Sequence, residues 1–193
     1  MRPDILNSGY RLPTRLLFGV IRLISRQPLP DAAKINFYRP DFYGNPMKRM
    51  TQRVMRGESE WSVGERELMA AFVSRTNGSA FCIGAHTATA TGALGDHGLV
   101  QQTLDDPDTA PISAGLRATL WLLAKITRNE AVDPEDVRVV LAAGVSTGQL
   151  EDALAVCFAF NVVNRLADAF DFARLTPQGY ASGATYLLKR GYG

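Results

Sequence analysis

Nowhere in this 193-residue chain do apolar and polar residues alternate over a sustained stretch, whereas apolar positions recur at three and four residues in several segments bounded by capping signals. That pattern argues against a sheet and predicts an all-α protein, a bundle of about six to eight helices. Hydrophobic residues make up 46% and charged residues 21%, enough to bury one real core. With no internal repeat, low-complexity run or linker, residues 1–193 read as one domain.

The helix boundaries follow from local chemistry. A first helix is expected from about Thr14 to Arg26; Leu16 to Ile24 is its most apolar part, but Arg22 interrupts it and it falls far short of the ~20 residues that span a bilayer. It reads as an amphipathic helix that docks, for instance on a neighbouring subunit. Gln27 to Asn36, with Pro28 and Pro30, reads as a connector. Asn45-Pro46 opens a helix to about Arg56, as a cap and a first-turn proline. Ser62 and Glu65 have capping-box spacing and open the next helix, to about Thr76. Asn77-Gly78 suits a left-handed stop, Ser79 caps a further helix to Leu94, and Gly95 ends it.

A polar loop around Asp105 to Asp108 precedes a helix from about Ser113 to Thr127, with Leu116, Leu120, Leu123 and Ile126 on its core face. Asp133-Pro134 opens a helix that Gly144 closes. A long helix runs from Thr147 to Phe170, and Pro177 to Gly193 adds a short one.

A net charge of +2 with dispersed basic residues gives no nucleic-acid footprint. Residues 141–150 have the look of a helix-turn-helix, but Glu151 and Asp152 stand where phosphates and base edges would be met, so an αα-hairpin inside the bundle explains them better. Two cysteines, Cys82 and Cys157, are too few for a disulfide framework and point to a reducing, cytoplasmic setting. Two histidines and two scattered cysteines make no metal site, and no cofactor is expected. His97, after Gly95-Asp96, reads as a surface loop residue. Cys157, amid Leu154, Val156, Phe158 and Phe160, reads as buried and inert.

Chemistry concentrates between Glu67 and His86. With Ser79 as cap, Cys82 takes the third helical position, where free N–H groups and the helix dipole favour a thiolate and are expected to bring its pKa from about 8.5 toward neutrality. His86 follows one turn later on the same face. The preceding helix must pack beside this stripe, so Glu67 can face it as a proton acceptor. Asn161, Asn164, Arg165 and Asp168 form a polar row on an apolar helix and must be hydrogen-bonded if buried, either as a structural network, the plainer account, or as support for the site or a subunit contact.

Glu65-Arg66-Glu67-Leu68-Met69-Ala70 followed by Asn77-Gly78-Ser79-Ala80-Phe81-Cys82-Ile83-Gly84-Ala85-His86-Thr87 resembles the signature of the alkylhydroperoxidase AhpD-like, carboxymuconolactone decarboxylase superfamily. Phe160 to Ala169 is similar to that family's C-terminal helix, and the two stretches frame roughly residues 40–175, leaving 1–39 as a helical N-terminal extension. The family pattern of a glutamate, a Cys-x-x-Cys and a histidine falls on Glu67, Ser79, Cys82 and His86, with serine in place of the first cysteine. The resemblance implies an oligomer (dimer, trimer or hexamer) and a thiol-dependent hydroperoxide reductase whose glutamate and histidine relay protons. Ser79 cannot close the intramolecular disulfide, so Cys82 would work in a one-cysteine cycle with an external thiol, Ser79 hydrogen-bonding the sulfur. Two alternatives stand beside this: acid/base chemistry on a small carbonyl or lactone by Glu67 and His86, and a non-catalytic oligomeric binding protein.

Overall fold

The structure, a computed structural model, describes residues 5–25 and 27–193, with the side chain of Ser25 left out; Arg26, the expected end of the first long helix, lies outside these. Among the described residues the chain is all-helical, with 11 α-helices and one π-helical turn. The central pair is α5 (Val63–Asn77) and α6 (Ala80–Leu94), and around it stand α4 (Asn45–Arg56), α8 (Ala114–Thr127), α10 (Thr147–Ala169) and α11 (Pro177–Arg190). Ser62 and Glu65 form the expected capping box at α5, and Asp133 and Ser146 make equivalent boxes at α9 (Pro134–Ala142) and α10.

Three short α-helices beyond those expected account for the higher number. Within the expected connector, α3 (Asp31–Tyr38) forms: Pro30 sits at its N-cap and marks the entrance, since a proline there gives up an N–H that would be unpaired anyway. A π-helical turn (Pro40–Gly44) then leads directly into α4. His97 opens α7 (His97–Asp105) instead of lying in a loop, because the Asp96 side chain accepts the Leu99 N–H at 2.9 Å as an N-cap. The last helix, α11, has 14 residues, and a four-residue α1 (Ile5–Ser8) precedes α2 (Leu12–Ser25).

Buried on every side, α5 anchors the main core. Leu68, Met69 and Val73 pack with Leu120 and Leu123 of α8 and with Val156 and Phe160 of α10. Each such side chain contributes roughly 1.5–3 kcal/mol of burial. A second apolar cluster gathers Leu6 and Ile35 from the N-terminal extension with Phe81 and Cys82 of α6, Ala167 of α10 and Phe172. Asp31 holds that extension in place, its carboxylate accepting from Lys34 Nζ at 2.7 Å and from the Ala173 N–H at 2.9 Å. The extension thus covers Cys82. By contrast, α2 presents Leu12, Leu16, Val20, Leu23 and Ile24 to solvent, and Phe18 reaches inward to the Tyr10 and Phe37 rings. No described helix is long and apolar enough to cross a membrane.

Two glycines set the geometry of the site. Gly78, at φ 71°, makes the left-handed turn from α5 to α6, with its N–H on Arg75 O and the Ser79 N–H on Ser74 O. Gly84 lets α11 lie against α6, because a Cβ there would overlap the Tyr180 ring. Gly84→Ala should therefore cost about 1–3 kcal/mol, read as a lower urea midpoint with an unchanged slope.

Candidate active site

Glu67, on the fully buried face of α5, is the charge around which the site is built. Its Oε2 meets His86 Nδ1 at 2.8 Å, and its Oε1 accepts from Arg56 Nη2 at 2.7 Å and from the Tyr192 hydroxyl at 2.9 Å. Burial would push this carboxyl up, but the His86 bond and charge together with Arg56 outweigh it, and its pKa lies below the ordinary value. An ionised carboxylate can only accept, so the His86 Nδ1–H donates to Glu67. The Phe160 ring meets the imidazole edge-on, centroids 4.4 Å apart, and fixes its plane.

Tyr192 closes this network. Its phenol lies between the Arg56 guanidinium, 5.0 Å from the ring centroid, and the His86 ring, stacked at 6.4 Å, while its backbone N–H donates to Gln52 Oε1 at 2.6 Å. Burial, reinforced by the Glu67 charge, holds the phenol well above its ordinary pKa, so it remains a donor. Arg56 Nη2 also donates to Leu187 O at 3.2 Å, tying α4 to α11.

Cys82 occupies the third position of α6, as its spacing predicted, and His86 lies one turn beyond it. The expected thiolate is absent. Burial in the second cluster pushes the Cys82 thiol up to about 12; a hydrogen bond with Ser79 opposes this and the charge of Asp168 adds to it. Desolvation outweighs the helix terminus because Cys82 is 2% exposed and packed among apolar side chains. Ser79 stands at the N-cap but does not cap: its hydroxyl donates to Asp168 Oδ1 at 2.8 Å.

The polar row on α10 is a hydrogen-bonded network that runs into the site. Arg165 Nη1 donates to Asn77 Oδ1 at 2.8 Å, Asn77 Nδ2 to Asn161 Oδ1 at 3.1 Å, Ser74 Oγ lies 3.1 Å from Asn164 Oδ1, and Asp168 takes Ser79. The structure thus joins Glu67 to His86 and Cys82 to Ser79, the two pairs one turn apart on α6. Cys157 lies in the main core, its thiol raised by burial, and His97 is exposed. Sequence reasoning missed Arg56 and Tyr192. Tyr192 lies 125 residues from Glu67, beyond the last helix, where no local spacing signals it. Among the described residues no group of three or more His, Cys, Asp or Glu is placed to hold a metal ion.

Among the described residues the chain is thus an all-helical bundle that holds a buried glutamate–histidine pair one turn from a helix-start cysteine. Residues 42–103 match the carboxymuconolactone decarboxylase family. An uncharacterized peroxidase-related protein from Silicibacter sp. TM1040 is 26% identical, with a TM-score of 0.75 over 90% of this chain and 91% of that one. A second, an alkylhydroperoxidase AhpD core, uncharacterized peroxidase-related protein from Ralstonia eutropha JMP134, is 19% identical with a TM-score of 0.72 over 95% and 91% of the two chains. The debrominase Bmp8, in a cysteine-to-alanine variant complexed with 2,3,4-tribromopyrrole, shares the fold at 14% identity and a TM-score of 0.75, over 95% of this chain and 100% of that one. No curated protein matches the sequence.

The sign of the Glu67 effect on stability follows from its lowered pKa. Its contribution is complete above the ordinary value of 4.5 and is lost as pH falls below that value through the folded one. Glu67→Gln should cost about 3 kcal/mol at neutral pH by leaving Arg56 uncompensated. Urea titrations below pH 4.5 should also show a shallower further loss in that variant than in the unmodified protein.

Proposed function

We propose that the chain is a thiol-dependent hydroperoxide reductase with Cys82 as the reacting group, Glu67 and His86 as its proton-handling pair and Ser79 as its hydrogen-bonding neighbour. The observation that carries this reading is the 2.8 Å Glu67–His86 pair one helical turn from Cys82. It supplies what a buried thiol needs, a base whose free nitrogen accepts the proton as the sulfur attacks. The 26% identity to a peroxidase-related protein supports the same assignment.

Since Cys82 rests as a thiol, deprotonation accompanies attack. The sulfur bonds to the terminal peroxide oxygen, the O–O bond breaks, the thiol proton passes to His86, and His86 returns it to the leaving alkoxide. Cys82 becomes a sulfenic acid and the hydroperoxide an alcohol. One external thiol then displaces water to give a mixed disulfide; a second releases Cys82 and leaves as the oxidised disulfide. No cofactor enters the cycle. The setting is the cytoplasm, where such thiols abound, and the exposed apolar row of α2 is the face on which copies of the chain assemble into a dimer, trimer or hexamer.

One observation favours a second reading. The Glu67–His86 pair is fully formed while Cys82 is a weakly acidic thiol, which suits acid/base chemistry on a small carbonyl or lactone.

After one equivalent of an organic hydroperoxide, a sulfenic-acid trap should label Cys82, read by peptide mass spectrometry, and Cys82→Ser should remove the label. An unlabelled Cys82, with an activity that survives Cys82→Ser and is lost in Glu67→Gln, would give the site to the acid/base reading. Ser79→Cys should restore an intramolecular disulfide and with it dithiol-dependent turnover; continued dependence on a monothiol would count against the inherited geometry.

A further inference from the structure

Arg56 holds Glu67 by one prong only. Its Nη2 meets Glu67 Oε1 at 2.7 Å and its Nη1 donates to Met55 O at 2.8 Å, while Nε, on the same edge of the guanidinium as Nη2, is buried without a hydrogen-bond partner. An arginine facing a carboxylate favours two parallel N–H···O bonds, one to each oxygen, and a buried donor left unpaired is costly. The pair is thus kept from the grip that its chemistry prefers.

The Tyr192 hydroxyl stands where it can keep the two apart. It donates toward both carboxylate oxygens, 2.9 Å from Oε1 and 3.2 Å from Oε2, and Oε2 in turn lies 2.8 Å from His86 Nδ1. The place of the phenol does not depend on that contact alone. Its ring lies between the Arg56 guanidinium at 5.0 Å and the His86 ring at 6.4 Å, and its backbone N–H is tied to Gln52 Oε1 at 2.6 Å. Gly191, at φ 71°, permits this approach, because a Cβ there would overlap the Gln52 amide. The Tyr192 oxygen itself is 3.5 Å from His86 Nδ1, a far weaker contact than the one to Oε2.

We propose that Tyr192 is a positioning residue for His86: its hydroxyl spans the two oxygens of Glu67, keeps the carboxylate from turning into a two-pronged grip by Arg56, and so reserves Oε2 for the His86 Nδ1–H. Without the hydroxyl, Oε2 swings to Arg56 Nε and His86 loses the acceptor that sets its tautomer. This inference rests on the reading of Glu67 and His86 as the proton-handling pair, which the hydroperoxide and the acid/base versions share. It gives the segment beyond α11 a task in the site, carried out through Glu67 and not by contact with substrate.

Nitrogen-15 NMR of the full chain, labelled at histidine and arginine, tests this at mildly alkaline pH, with the exposed His97 as internal control. In the unmodified protein His86 should be predominantly the Nδ1–H tautomer. Tyr192→Phe keeps the ring and its stacking and removes only the hydroxyl. It should turn His86 predominantly to Nε2–H and move the Arg56 Nε–H proton downfield as Nε gains its acceptor. In the R56K background a single ammonium keeps the charge but offers no second prong, so there Tyr192→Phe should leave His86 as Nδ1–H. A merely structural loss would move His86 alike in both backgrounds. An unchanged His86 tautomer in Tyr192→Phe, an unmoved Arg56 Nε–H, or the same His86 change in the R56K background overturns the proposal. If Tyr192→Phe does not fold, Tyr192→Leu takes its place with the same expected and overturning results; if the R56K background does not fold, the Arg56 Nε–H signal decides. No hydroperoxide enters the measurement, so an unmoved His86 tautomer removes this inference alone, whereas an untrapped sulfenic acid removes the peroxidase reading alone.

Discussion

A carboxylate with no exposed surface has to be matched by charge and hydrogen bonds, and in this protein three helices and the segment after α11 are arranged to do so. Glu67 on α5 draws Arg56 from the end of α4, His86 from α6 and Tyr192 from beyond α11. Each partner also has a second attachment: Arg56 to Leu187 O, Tyr192 to Gln52, His86 to the Phe160 ring. Removing the carboxylate would leave a cation and an imidazole without their acceptor in a dry site. The same arrangement fixes the histidine tautomer, so one electrostatic requirement serves both the bundle and its chemistry.

Residues whose role is local were legible in the sequence. Ser62 with Glu65, Asp133 with Pro134 and Asn77-Gly78 located the ends of α5, α9 and the α5–α6 turn because caps and left-handed stops act within a few residues. The i,i+4 spacing put Cys82 and His86 on one stripe for the same reason. Short helices fared worse: Pro28 and Pro30 look alike whether they fill a connector or precede α3, and Asp96 was passed over as the cap of α7. Arg56 and Tyr192 were invisible because only tertiary packing brings them to Glu67.

The acidity of Cys82 shows where local reasoning gives way to environment. A helix N-terminus stabilises an anion by a modest amount, and only while the anion keeps some hydration or donors. Leu6, Ile35, Phe81 and Phe172 strip that hydration away, and the one nearby hydroxyl is engaged by Asp168. The terminus was correctly placed, yet the sign of the shift was decided by side chains from three other segments.

Two polar systems therefore start one turn apart on α6. Toward the main core, Glu67 and His86 form a closed, desolvated pair. Toward the cavity, buried Ser79 is hydrogen-bonded to Asp168, which is exposed. A thiol kept protonated in an apolar cluster is protected from stray oxidation, since the thiolate is the reactive form. A cysteine in the Ser79 position would supply a second sulfur and would not hold Asp168 in the same way. With serine there, no internal disulfide can form at this position, and its hydroxyl instead ties the start of α6 to a carboxylate of α10.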